Sequence, residues 1–195
     1  MNEANRSRGL IALLAAGLAG LLTGCEMSNS PLWSQNSGPR PDGPDWANLS
    51  LNLMVDKYGP PDRIELSRVV WLNRPPWKRI AVWDDMELQQ FSLAKDQNLE
   101  DTIAYSVPRD KRVALRHFNG RVSVSADGSE ISARSFSEAR NFLSLNLADE
   151  IIRGAKTPAE AKAFDAETLK LADAGKSSPY MSGLLFTPPA PAAAP

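Results

Sequence analysis

One thiol constrains this chain more than any other feature. Cys25 is the only cysteine in 195 residues, so no internal disulfide can form and a folded domain must be held by its own apolar core. The cysteine stands directly behind GLIALLAAGLAGLL, residues 9–22, a run with neither charge nor proline. A membrane-spanning helix needs about 20 apolar residues. This run is shorter, and the polar Thr23, Glu26, Ser28 and Asn29 follow it. A polar leader with Arg6 and Arg8, a short apolar stretch and small residues before a break form the pattern of a secretory signal. The sequence divides accordingly. Residues 1–24 read as a signal peptide, 25–44 as the cysteine and a flexible tether, 45–175 as one globular domain, and 176–195 as a disordered Pro/Ala-rich tail.

Composition agrees with that division. Apolar residues make up 43% and charged residues 23%, enough of each for a buried core and a solvated surface. The net charge is −1. Glu3, Arg6 and Arg8 precede Cys25 and sum to +1, which leaves −2 on the remainder. A near-neutral body lacks the broad basic field of sequence-independent nucleic-acid binding, so nucleic acid is not an expected partner. The stretch EMSNSPLWSQNSGPRPDGP, residues 26–44, is rich in Ser, Asn, Pro and Gly and reads as a spacer, with Trp33 its one large aromatic.

Leu22-Thr23-Gly24-Cys25 resembles the lipobox of bacterial lipoproteins: leucine, two small residues, then cysteine. The resemblance implies that the Cys25 thiol is alkylated with diacylglycerol, that a peptidase cuts between Gly24 and Cys25, and that the new amine is acylated. Only a thiol makes the thioether, and small preceding residues let the backbone enter a narrow site. Three acyl chains anchor far better than one, because each buried methylene contributes about 0.8 kcal/mol. Glu26, not aspartate, follows the cysteine. In the lipoprotein class this implies the outer membrane, with the domain facing the periplasm; the inner membrane and the cell surface are the alternatives. Expected partners are the membrane, through the lipid, and another envelope protein. No cofactor is expected.

The body is well punctuated. Asp45 is a candidate N-cap, and Ala47, Leu51, Met54, Val55 and Tyr58 form a helical stripe that Gly59 and Pro60 close. In RIELSRVVWLNRPPWKRIAVW, Ile64, Leu66, Val70 and Leu72 alternate onto one strand face. Ile80 and Val82 alternate in a second strand, with Trp77, Ala81 and Trp83 opposite and a turn near Asn73–Pro76. DTIAYSV is a third strand, Pro108–Phe118 holds a short helix, and Asp127-Gly128 sits between two alternating runs as a hairpin turn. Ser135 and Glu138 have capping-box spacing ahead of a wide apolar stripe from Phe136 to Ile152, and Gly154 ends that helix. Thr157-Pro158-Ala159-Glu160 is a second capping box, and its helix carries Ala161, Phe164, Thr168 and Leu171 on one face before Gly175. These elements predict an α+β fold: a largely antiparallel sheet of about five strands, with an N-terminal helix and two C-terminal helices on one face.

Chemistry is sparse. The one histidine, His117, stands beside a turn, and no G-x-S-x-G, S-x-x-K, P-loop or G-x-G-x-x-G is present. No catalytic residue is assigned. Asp84, Asp85 and Glu87 lack calcium-loop spacing, and no metal is expected. The most unusual cluster is Trp71, Arg74, Trp77, Lys78, Arg79 and Trp83. Tryptophan beside arginine marks either an interface or indoles packed between sheet and helices with solvated cations. Trp71, Arg74, Trp77 and Arg79 are the candidate partner-binding residues.

DKYGPPDRI, VVWLNRPPWKRIAVW, LEDTIAYSVPRDK and NFLSLNLADEIIRGAKT resemble a group of bacterial exported proteins with no known activity, across most of the domain. Tyr58-Gly59-Pro60-Pro61 and the following strand resemble, more weakly, the BamE-related small outer-membrane assembly lipoproteins, although the C-terminal helix pair departs from them. The expectation is a non-enzymatic binding or scaffolding domain on a lipid anchor. The alternative is a periplasm-facing hydrolase whose paired carboxylates meet only in space.

Overall fold

The structure, a computed structural model, describes residues 46–84 and 97–188. Cys25, the signal-like run, the 26–44 stretch with Trp33, and Asp85 and Glu87 lie outside the described residues. No described helix is long and apolar enough to cross a membrane.

Four α-helices and six strands are described: α1 (Trp46–Tyr58), β1 (Arg63–Ile64), β2 (Arg68–Arg74), β3 (Trp77–Trp83), β4 (Leu99–Ala104), α2 (Arg112–Phe118), β5 (Val122–Val124), β6 (Glu130–Ser135), α3 (Glu138–Arg153) and α4 (Pro158–Asp173). The strands form one antiparallel sheet ordered β1-β2-β3-β4-β6-β5. This is the expected α+β class, with six strands where the pattern gave about five.

The extra strand comes from the segment after α1. Ile64 to Leu72 is not one strand. The chain turns back at 65–67, so that Arg63 pairs with Val70 and Ile64 with Val69. Ile64 and Leu66 are consequently exposed, Leu66 at 98%, rather than aligned on a buried face. The expected hairpin between β2 and β3 is present, with Trp71 opposite Ile80 and Val69 opposite Val82. Asn73 takes a left-handed conformation there, φ 53°, and the Pro75–Pro76 peptide is cis.

One sheet face carries Val69, Trp71, Ile80, Val82, Leu99, Ile103, Ile131 and Ala133 into the core. Helix α1 lies over β2 and β3, and α3 lies over β4 and β6. Leu51 and Met54 of α1 are buried as predicted, whereas Val55 is exposed. Helix α4 sits chiefly on other helices rather than directly on the sheet. It packs on α3 and α2, burying Ala161, Asp165 and Thr168 and leaving Leu171 at the surface. With the sheet on one side and α4 on the other, α3 is buried almost all round from Leu143 to Asp149.

The opposite sheet face is charged. Arg134 pairs with Glu100, Arg79 and Lys78 pair with Glu130 at 3.3 and 2.6 Å, and the Arg68 and Arg134 guanidiniums lie 4.8 and 4.4 Å from the Trp83 ring centre. These long side chains cover Ala81 and Thr102, both fully buried.

Two boundary expectations change. Helix α3 is capped by Ser137, whose Oγ accepts from Arg140 N at 3.4 Å. Ser135 is the last residue of β6 and lies 2.8 Å from Asn141 Oδ1, and Glu138 points elsewhere. The box at Thr157/Glu160 is present as read. The domain also continues past Gly175. Asn146 of α3 donates to the carbonyls of Tyr180 and Gly183 at 3.0 and 2.8 Å and accepts from Leu185 N at 2.7 Å. Phe164 meets Tyr180, and Tyr105 meets Phe186. Residues 176–188 thus belong to the fold rather than to a disordered tail, because a buried asparagine needs backbone partners and this segment supplies them.

At the β5–β6 turn, Gly128 adopts φ +82°, and a Cβ there would lie 1.9 Å from Arg112 Nη2. Glycine is required there for conformation, and a Cβ would also displace the Arg112 guanidinium. Gly128→Ala should lower stability by at least about 1–3 kcal/mol, the usual cost of a non-glycine residue held in a disfavoured conformation. Chemical denaturation checks this, and an unchanged midpoint would contradict it.

Candidate functional site

Glu138 is the first residue of α3, and three donors from two other elements converge on it. Tyr58 Oη donates to Oε1 at 2.5 Å, Trp77 Nε1 donates to the same oxygen at 2.7 Å, and Lys57 Nζ reaches Oε2 at 2.6 Å. Trp77 also stacks on Phe142, ring centres 4.8 Å apart. Its side chain therefore lies on the helix-covered side, not with Ala81 and Trp83. Burial works against the Lys57 charge, but the Glu138 and Tyr58 contacts outweigh it and raise the ammonium above its ordinary value. Burial, reinforced by Glu138, pushes the Tyr58 phenol up to about 12. A carboxylate at the start of a helix also meets the positive end of its dipole.

Next to this hub a cleft of about 450 Å³ opens between α1 and the start of α3. Leu53, Met54, Leu99, Phe136 and Ala139 form its apolar lining, with Ser50, Asp56, Lys57, Ser137 and Glu138 around them. Leu53 is 51% exposed at the mouth. The size is that of a small-ligand pocket. Its polar groups are largely committed: Ser50 Oγ donates to Asn98 Oδ1 at 3.1 Å, Ser137 caps α3, and Glu138 holds three donors. The lining thus offers shape and apolar surface rather than a free nucleophile with its base. His117 is exposed on α2 and does not line the cleft.

Behind Leu99 lies a second acid. Asp101 is fully buried, and its Oδ2 accepts from Asn141 Nδ2 at 2.7 Å. Asn141 also donates to Leu99 O at 3.2 Å. Asp101 Oδ1 has no partner. Burial, only partly offset by Asn141, pushes the Asp101 carboxyl well above its ordinary range. It has no path to the cleft as a paired carboxylate, because it exposes no surface.

The hairpin cluster singled out in the sequence takes another role. Trp71 and Trp77 are buried, at 0% and 1% exposure. Trp71 Nε1 donates to Gly59 O at 2.9 Å, which ties the end of α1 to β2. Neither indole offers surface to a partner, and burial of so large an apolar area is the physical reason. Arg74 donates to Leu72 O at 2.6 Å and reaches Asp62, and Arg79 bridges Thr102 and Glu130. Among the described residues no group of three His, Cys, Asp or Glu side chains is placed to hold a metal. Sequence reading missed Glu138 as a hub because capping-box spacing explained it locally. It missed the cleft because Met54 and Phe136 read as helix-face core and Leu53 had no assigned role.

Comparison with protein families, with characterised proteins and with solved structures finds no match to this chain.

Two measurements check the electrostatics. A raised folded-state carboxyl makes stability fall as pH rises from about 4 towards that raised value, by up to about 1.4 kcal/mol per pH unit. Asp101→Asn keeps an oxygen for Asn141 and removes the titration, so its stability should lack that decline. Identical pH profiles for the two proteins would refute the raised carboxyl. The three tyrosines provide the other check. Burial, together with a carboxylate partner, raises Tyr58 and Tyr180 to about 12 and Tyr105 further still. Their contribution to stability is complete below the unfolded phenol value of about 10 and is lost as pH rises through the folded values. Phenolate absorbance should therefore show no titration near pH 10 in the folded chain and a normal one in guanidinium.

Proposed function

We propose that this chain is a bacterial envelope lipoprotein. On this reading it is acylated at Cys25 after cleavage behind Gly24, and its folded domain is a non-enzymatic binding module at the outer membrane, facing the periplasm. The observation that carries the reading is the sole cysteine of the chain, placed by Leu22-Thr23-Gly24 directly behind a short apolar run with an arginine-bearing leader. The Glu26 that follows favours the outer membrane. The binding role draws support from the surface cleft between α1 and α3, whose apolar lining and committed polar groups suit holding an apolar group rather than transforming it. A tether of residues 26–44 would give the domain a reach of about 25 Å from its anchor, by the flexible-chain estimate.

Cys25→Ala tests the anchor. The variant should take up no radiolabelled fatty acid and should accumulate as uncleaved precursor, while the native chain is labelled and shortened. Normal processing of the variant would sink the lipoprotein reading.

A further inference from the structure

Most cations of the domain lie at ion-pair distance from a carboxylate, on the charged sheet face and along α3 alike. One stretch departs from this. Arg109, Lys111, Arg112 and Arg116, on the 3₁₀ turn at 109–111 and on α2, have no carboxylate at that distance among the described residues. Two acids lie nearby. Asp110 is exposed on the same turn. Asp127 is spent on its own loop, accepting from Ser125 Oγ at 2.6 Å and Ser129 Oγ at 2.7 Å. The local excess is therefore positive in a chain whose net charge is −1.

This excess borders a concavity. A cleft of about 390 Å³ lies between α2 and the β5–β6 hairpin, lined by Arg112, Arg116, Ser123 and Ser125 over Leu115 and Val122. Arg112 is fixed: its two Nη atoms donate to Ala126 O and Asp127 O at 3.0 Å each. Both partners are neutral carbonyls, so the guanidinium keeps its full positive charge beside the cleft. Arg116 and Ser123 are exposed and unspent at the opening.

We propose that this cleft binds a phosphate-bearing ligand, with Arg112 as the fixed cation and Arg116 as the mobile one, Ser123 adding a hydroxyl, and Arg109 and Lys111 supplying field from the preceding turn. Guanidinium groups suit phosphate because their planar forks match its oxygens and stay charged at all relevant pH. A soluble phosphate compound and a phospholipid headgroup present the same chemistry. The site does not depend on the lipoprotein reading, and failure of Cys25 acylation would leave it standing.

The test reads hydrogen exchange over residues 112–126 of the full chain. One arm titrates pyrophosphate into the chain in maltoside micelles. The other reconstitutes it in phosphatidylcholine bilayers with and without phosphatidylglycerol. At a ligand concentration ten times its Kd, exchange through openings that release ligand should slow about tenfold. Arg116→Gln combined with Lys111→Gln should remove the effect, since neither side chain holds the fold. Arg63→Gln, an exposed cation on the far edge of the sheet, should keep it. Slowing by pyrophosphate alone identifies a soluble ligand, and slowing by phosphatidylglycerol alone identifies a headgroup. No slowing in either arm overturns the proposal. So does slowing that Arg63→Gln weakens equally, or that an acidic peptide produces as well as pyrophosphate.

Discussion

The fold hangs on one helix and the carboxylates along it. Every tyrosine of the chain donates to an acid on α3: Tyr58 to Glu138, Tyr105 to Asp149 at 2.7 Å and Tyr180 to Glu150 at 2.7 Å. The three come from α1, from the end of β4 and from the C-terminal segment. Each bond joins a distant part of the sequence to the same rod. A hydrogen bond to a charged acceptor contributes about 1.5–3 kcal/mol and is more costly still to break when buried. With no disulfide available, these bonds and the apolar core do the cross-linking.

That arrangement also explains the clefts. Because Tyr58, Trp77 and Lys57 all turn towards Glu138, the end of α1 is pinned to the first turn of α3 while the middle of α1 stands away from it. The gap between them is the apolar cleft. Arg112 acts similarly on the other side, tying α2 to the carbonyls of the β5–β6 turn and leaving a polar groove beside the tie. In both places a fixed polar contact holds two elements at a set distance, and the space beside it is left open.

Much of this was legible in the sequence. The β2–β3 and β5–β6 hairpins, α4 with its Thr157/Glu160 box, and the burial of α3 follow from alternation, Asp127-Gly128, proline placement and stripe width. Such signals are local, spanning a few residues whose backbone preferences agree with the final fold. Failures came where a local rule had a distant competitor. Ser135 and Glu138 have capping-box spacing, but Asn141 and the hub of Lys57, Tyr58 and Trp77 claim them instead. Ile64 and Leu66 alternate correctly for a strand, yet Arg63–Ile64 folds back onto β2. The segment from residue 176 read as part of a tail, but Asn146 is buried and takes the backbone of residues 180–185 as its partners. The unpaired cations of residues 109–116 went unremarked because pairing is a property of space, not of sequence.

The sequence by itself determined the class of fold, the hairpins, the need for a self-sufficient core and the lone thiol at Cys25 that motivates a lipid anchor. These rest on composition and on contacts between near neighbours. Tertiary structure alone decided which tryptophans are buried, which acid is fully buried, where the clefts open and which cations lack a partner. Each of these depends on how residues some tens of positions apart share a low-dielectric interior. Burial and electrostatic pairing are set there by the summed environment of several elements, and no single stretch of chain encodes that sum.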